Sequence, residues 1–185
     1  MSTTPKRITL GSGKLYLIPY VDTVPEVETI CVESNLLGYI KGGATLEYAP
    51  TFYEAKDDLG YVIKTIITEE TATLKSGILT FNGNTLKTLC ATGRVTEDAE
   101  KKIRTLKIGG IANATGDKYV ICFHHSDPVD GDIWVVIVGK NEAGFSLAFA
   151  KDAETVIDAE FKCLSQDSEG TLIKYIEKDE TIVAG

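Results

Sequence analysis

Residues 36–86 read LLGYIKGGATLEYAPTFYEAKDDLGYVIKTIITEETATLKSGILTFNGNTL. From Tyr39 to Tyr48, an extended chain puts Ile40, Gly42, Ala44, Leu46 and Tyr48 on one face and Tyr39, Lys41, Gly43, Thr45 and Glu47 on the other. Tyr61 to Ile78 continues in the same manner, with Thr71, Thr73 and Lys75 opposite Ala72, Leu74 and Ser76, and its many β-branched residues favour a strand. The stretch is therefore predicted to hold two unusually long strands, a connecting loop at 49–60 and a short helix. Strands of this length cannot bury both faces inside one small domain, and they leave edges that need a partner.

The predicted loop holds Pro50, Phe52, Tyr53, Glu54, Lys56, Asp57 and Asp58, a mixture suited to docking on another protein as well as to solvation. Asn84 is the predicted N-cap of a helix from Thr85 to Thr92, with Leu86, Leu89 and Cys90 on one face and Gly93 as its stop. Upstream, an amino-terminal arm (1–12) leads into a strand at Lys14–Ile18; a Pro25-containing connector follows, and then a short apolar strand at Thr29–Glu33. Downstream of an acidic segment at Thr96–Glu100, strands are predicted at 103–111, 118–124, 133–138, 145–150, 156–164 and 172–177, separated by turns rich in Gly, Asn and Asp. Ile133–Val138 is apolar on both faces, which places it at the centre of the fold. The expected architecture is a single mainly β domain (1–185): two packed antiparallel sheets, a β-sandwich, with one short flanking helix.

Composition narrows the function. With 27 acidic and 19 basic residues, the formal charge of −8 argues against tight nucleic-acid binding, which depends on clustered cations that release phosphate counterions. No apolar run approaches the length of a membrane span, and the amino terminus lacks the apolar core of a secretion signal, so neither insertion nor export is expected. Cys31, Cys90, Cys122 and Cys163 are widely spaced beside apolar residues, and they read as buried free thiols of a protein made in a reducing cytosol.

Chemical motifs are few. Gly11-Ser12-Gly13-Lys14 lacks both the upstream glycine and the Ser/Thr of a phosphate loop, since Ile8 and Leu15 occupy those positions. Gly144 to Ala148 lacks the second glycine of a nucleophile elbow. His124-His125-Ser126-Asp127 is the one cluster with general-base and nucleophile chemistry, but adjacent strand residues point to opposite faces, and Pro128 marks the start of a turn. Glu69-Glu70 and the alternating Asp158 and Glu160 read equally as a solvated strand face or as the wall of a channel. No catalytic, metal or cofactor site is predicted.

The run from Gly38 to Leu86, with VDGDIWVVIVGK at 129–140 and GFSLAFAKDAETVIDAEFK at 144–162, resembles the major tail tube protein of long-tailed, siphophage-type bacteriophages. The resemblance covers nearly the whole chain. It implies a non-enzymatic structural protein of the virion, made in the host bacterial cytoplasm. Such subunits form hexameric rings in which inner strands join edge to edge into one ring-wide β-barrel, and the rings stack into a hollow tube through which DNA passes without specific binding. On this reading Thr45, Glu47, Glu69, Glu70 and Thr73 are candidates to face the lumen, and the 49–60 loop reaches the next ring. Implied partners are further copies of the chain, a tape-measure protein, and terminator and distal-tail proteins; no cofactor is implied. Alternatives are the inner tube subunit of a contractile tail or phage-like bacteriocin, a small-ligand-binding β-sandwich with Phe52 and Tyr53 at its ligand face, and an enzyme built on His124–Asp127.

Overall fold

A computed structural model describes residues 9–182. Most of the expected amino-terminal arm, residues 1–8, lies outside the described residues; Thr9 to Ser12 are irregular. The strands are β1 (Lys14–Pro19), β2 (Leu36–Gly38), β3 (Ile40–Lys56), β4 (Val62–Ile78), β5 (Arg94–Asp98), β6 (Ile103–Lys107), β7 (Tyr119–His125), β8 (Ile133–Asn141), β9 (Ile157–Leu164) and β10 (Lys174–Glu177); the helices are α1 (Val27–Ile30) and α2 (Gly83–Thr88).

The fold is mainly β and antiparallel, with short helices. Two separate packed sheets were expected; instead hydrogen bonding joins eight strands into one sheet in the order β2-β1-β7-β8-β9-β4-β3, while β5 and β6 form a small second sheet. The eighth strand of the large sheet, β10, pairs with Ile133–Val136 of β8, while Val138–Asn141 pair with β9, so the sheet forks along β8. No barrel closes within the chain among the described residues.

As expected, β8 lies centrally. Its alternate residues feed two clusters: Val135 and Ile137 join Leu15, Leu74, Leu89, Ile121 and Phe161, while Val136 and Val138 join Tyr16, Val27, Ile30, Val120 and Cys122. Helix α2 borders the first cluster through Leu86 and Leu89, and α1 caps the second. A strand apolar on both faces is stable only where both faces are covered in this way.

Several local expectations are corrected. Thr29–Glu33 is not a strand: α1 and a 3-10 turn at Glu33–Asn35 occupy the region, with Val27 and Ile30 buried one helical turn apart and the Asn35 amide donating to the Thr29 and Ile30 carbonyls. An apolar run this short cannot distinguish helix from strand by periodicity. The cap of α2 is Asn82, not Asn84. Asn82 Oδ1 accepts from the Asn84 and Thr85 backbone N–H groups at 2.8 and 3.2 Å, and Thr85 Oγ1 accepts in return from Asn82 N at 3.3 Å. That reciprocal box requires a side-chain acceptor three residues on, which Asn82 has in Thr85 and Asn84, followed by Lys87, lacks.

Phe145–Ala150 forms no strand, although Phe145 and Leu147 still pack on the first cluster; their alternation set which way the side chains face, not a ladder partner. Conversely, the acidic segment was part of a strand, since Thr96–Asp98 ladder with Ile103–Thr105 and Glu97 holds Arg104 across the pair at 2.7 Å. The largest correction concerns 49–60. Strand β3 runs on through Lys56, and the turn is confined to the residues after it, where Asp57 Oδ1 accepts from the Leu59 and Tyr61 N–H groups. Pro50 did not stop the strand because β3 is the edge of the sheet, where a missing N–H costs no ladder bond on the open side.

Candidate functional site

The two long strands, each of 17 residues, make a hairpin that outgrows the domain. Strand β4 pairs with β9 only from Thr73 to Ile78. From Val62 to Ala72 its sole ladder partner among the described residues is β3, whose own outer edge is unpaired. The distal half is thus a two-stranded ribbon with two open edges, an arrangement that is marginal in water without further contacts.

Paired residues across an antiparallel ladder share a face, so the register sorts the side chains. Leu46, Tyr48 and Pro50 pair with Leu74, Ala72 and Glu70 on the core face; near the root this face is buried, Leu74 being 1% exposed and lying opposite the buried Phe161 of β9. Thr45, Glu47, Ala49 and Thr51 pair with Lys75, Thr73, Thr71 and Glu69 on the open face, which Asp158, Glu160 and Lys162 of β9 extend.

Four of the five lumen candidates, Thr45, Glu47, Glu69 and Thr73, are therefore on one exposed face. Glu70 falls on the other, where its carboxylate accepts the Tyr48 hydroxyl. The sequence reading offers Asp158 and Glu160 of β9 as a possible channel wall but passes over Lys162, which the same alternation places with them. The face is mixed in charge, and its root lysines are neutralised locally. Lys75 Nζ is 2.9 Å from Glu47, Lys162 is 3.6 Å from Glu142, and Lys41 pairs with Glu154. The Glu47 hydrogen bond, helped by Glu160, holds the Lys75 ammonium above its ordinary pKa. Asp158 and Glu160 tip the root of the face towards negative charge.

Of the loop candidates, Pro50, Phe52, Tyr53, Glu54 and Lys56 lie in β3 and only Asp57 and Asp58 in the tip turn. A bulge at Thr68 resets the distal register, so that Phe52 pairs with Ile67 and Tyr53 with Ile66. Both faces of the ribbon consequently present large apolar side chains: Leu59, Tyr61 and Ile63 are 82%, 69% and 71% exposed, and Phe52, Tyr53, Ile66 and Ile67 are about half exposed. The isoleucines were missed, although adjacent Ile66 and Ile67 in a strand place an apolar group on each face. A notch of about 400 Å³, lined in part by Thr71, Thr73, Glu142, Glu160 and Lys162, marks where the ribbon leaves the sheet.

The histidine cluster has a different geometry from a nucleophile and its base. His124 Nε2 lies 2.9 Å from Asp132 Oδ2 and stacks on Trp134, while the Ser126 hydroxyl donates to the other oxygen of the same carboxylate at 3.2 Å. Serine and histidine thus both turn to Asp132 and pin the 126–132 turn. His125 is buried on the opposite side, its Nδ1–H donating to the Ser12 carbonyl at 2.7 Å. Neither the notch nor an open groove of about 610 Å³ near Tyr20, Lys87 and Tyr119 is lined by His124, Ser126 or Asp132. Among the described residues no group of three or more His, Cys, Asp or Glu could hold a metal ion.

His124, then the Asp127 N–H and the Ser126 hydroxyl, hold the Asp132 carboxyl below the usual carboxylate range against the opposing effect of burial. A depressed folded-state pKa means that the stabilisation is complete above the unfolded value of about 3.9 and is lost as the pH falls through the folded value. Asp132→Asn should therefore lower thermal stability at pH 7 by about 1 kcal/mol or less, and melting curves of variant and parent should converge only as the pH falls through the depressed folded-state value.

Comparison with protein-family models and with curated proteins returned no match for this sequence.

Proposed function

We propose that the chain is a structural subunit of a phage tail tube, assembling into stacked hexameric rings that form the hollow conduit for DNA. The observation that carries this reading is the ribbon of β3 and β4, which extends past its last support from β9 with open edges and apolar side chains on both faces. A monomer gains nothing from such an element. In a ring, edge-to-edge pairing with neighbouring copies satisfies the free N–H and C=O groups and closes a barrel that no single subunit contains.

The open face bearing Thr45, Glu47, Glu69 and Thr73 is the surface we assign to the lumen. Its root lysines are paired with carboxylates, and the chain carries a net charge of −8, so a DNA backbone meets a wall that offers it few free cations. The ribbon tip around Asp57, Asp58 and Leu59 is assigned to the contact with the next ring. On this reading the chain is not an enzyme and works in the virion with a tape-measure protein inside the tube and terminator and distal-tail proteins at its ends.

Negative-stain electron microscopy of concentrated, aged protein, set beside a sizing column of fresh protein, tests the proposal. Hollow tubes of uniform width with a regular axial repeat are the expected result. A compact monomer that persists even when seeded with tail-tip extract would overturn it.

A further inference from the structure

Cys31 and Cys122 are 91 positions apart, yet their Sγ atoms meet at 3.4 Å. Cys31 ends α1 and is half-buried; Cys122 is buried in β7, within the cluster that Tyr16, Val27, Ile30, Val120, Val136 and Val138 build. The other two cysteines are placed differently. The Cys90 thiol donates to the Leu86 carbonyl at 3.1 Å, and Cys163 is buried in the other cluster.

We propose that Cys31 and Cys122 are a reversible dithiol-disulfide pair, oxidised by low-molecular-weight disulfides, whose closure staples α1 to the central sheet. The sulfurs have to approach to about 2.05 Å, a further closure on the order of 1.4 Å that side-chain rotation at the end of a one-turn helix can supply. The asymmetry in burial sets the order of events. Cys31 is the sulfur that a small disulfide can reach, and its thiolate is favoured because the Cys122 S–H donates to it; the same contact, with burial, pushes the Cys122 thiol up. An accessible sulfur with enhanced thiolate character is the one that attacks in thiol-disulfide exchange.

With oxidised glutathione, the Cys31 thiolate attacks one sulfur, the S–S bond of the reagent breaks, and one glutathione thiolate leaves and is protonated. Cys122 then loses its proton to solvent and attacks the Cys31 sulfur, forming the internal bond and expelling the second glutathione. The two protein thiols give up two electrons and two protons, and one glutathione disulfide becomes two thiols. Nothing in this chemistry requires assembly, so the proposal holds for the free subunit and is independent of the tube reading.

The test equilibrates the full chain in glutathione redox buffers, quenches with N-ethylmaleimide and maps peptides by mass spectrometry without reduction. Free thiols should fall from four to two per chain, with a single Cys31–Cys122 linked peptide in a species of unchanged size. The melting temperature should rise by roughly 5–15 °C, because the bond closes a long loop in the unfolded chain. Cys31→Ser should abolish both the linkage and the rise, whereas Cys90→Ser should leave both. Four thiols surviving in fully oxidised glutathione, a stable glutathione adduct on Cys31, or linkage through Cys90 or Cys163 would each overturn the proposal. Mapping of the unaltered chain decides the matter even if Cys31→Ser fails to fold.

Discussion

On the proposed function, replacing the adjacent isoleucines of the ribbon with charged residues, Ile66→Lys together with Ile67→Asp, is expected to abolish tube formation while leaving the chain folded. Ile66 is 47% and Ile67 53% exposed, and the register puts them on opposite faces of the ribbon, beside Tyr53 and Phe52. In the isolated chain they lie beyond the reach of β9, so the melting temperature should move by no more than about 2 °C, as for surface substitutions that break no cap or core contact. In an assembly the balance reverses. Burying the exposed half of each isoleucine contributes about 1 kcal/mol per residue, whereas an unpaired charge in the same place costs several. In the proposed ring each copy would repeat that cost, which is enough to remove the rings and tubes expected of the parent chain. Sedimentation and electron microscopy read the assembly, and a melting curve reads the fold. Normal tubes from the double variant would mean that the ribbon is not an interface.

The largest stability effect is expected at the root of the same hairpin. Phe161 is fully buried, pairs across the ladder with Leu74 on one side and Asn141 on the other, and sits where β9 joins β4 to the rest of the sheet. Phe161→Ala should cost about 3–5 kcal/mol through lost transfer energy and the cavity left behind. For a chain of this size that corresponds to a fall of roughly 10 °C or more in melting temperature. Urea denaturation measures the free energy directly, and a loss below about 1 kcal/mol would show that this junction is not part of the cooperative core. Because β4 meets β9 through Thr73–Ile78, at the root of the ribbon, the proposed assembly should weaken with it. The two variants therefore separate the stability of the platform from the contacts of the arm.

The proposed lumen face shows how far a strand pattern can be read. Alternation placed Thr45, Glu47, Thr73 and Lys75 together, and the ladder agrees, because side-chain direction along a strand follows from backbone geometry alone. The same rule puts Glu69 and Glu70 on opposite faces, although both stood among the lumen candidates. What alternation does not contain is the identity of the neighbour: the place of β9 beside β4, which brings Asp158, Glu160 and Lys162 onto that face, depends on pairing between segments some 80 residues apart. The 49–60 segment went the other way. Pro50 and the charges after Tyr53 carry the local marks of a loop, and only the position of β3 at the sheet edge makes strand geometry cost-free there.

The sequence by itself determined the β character of the chain, the central place of Ile133–Val138, the two-faced nature of the long hairpin and the acidic balance, because each is a property of local periodicity or of composition. Only the tertiary structure decided that eight strands share one forked sheet, that the hairpin runs beyond its support, that His124 and Ser126 converge on Asp132, and that Cys31 meets Cys122. These are long-range juxtapositions, set by which apolar faces find each other once the chain collapses, and no window of neighbouring residues holds that information.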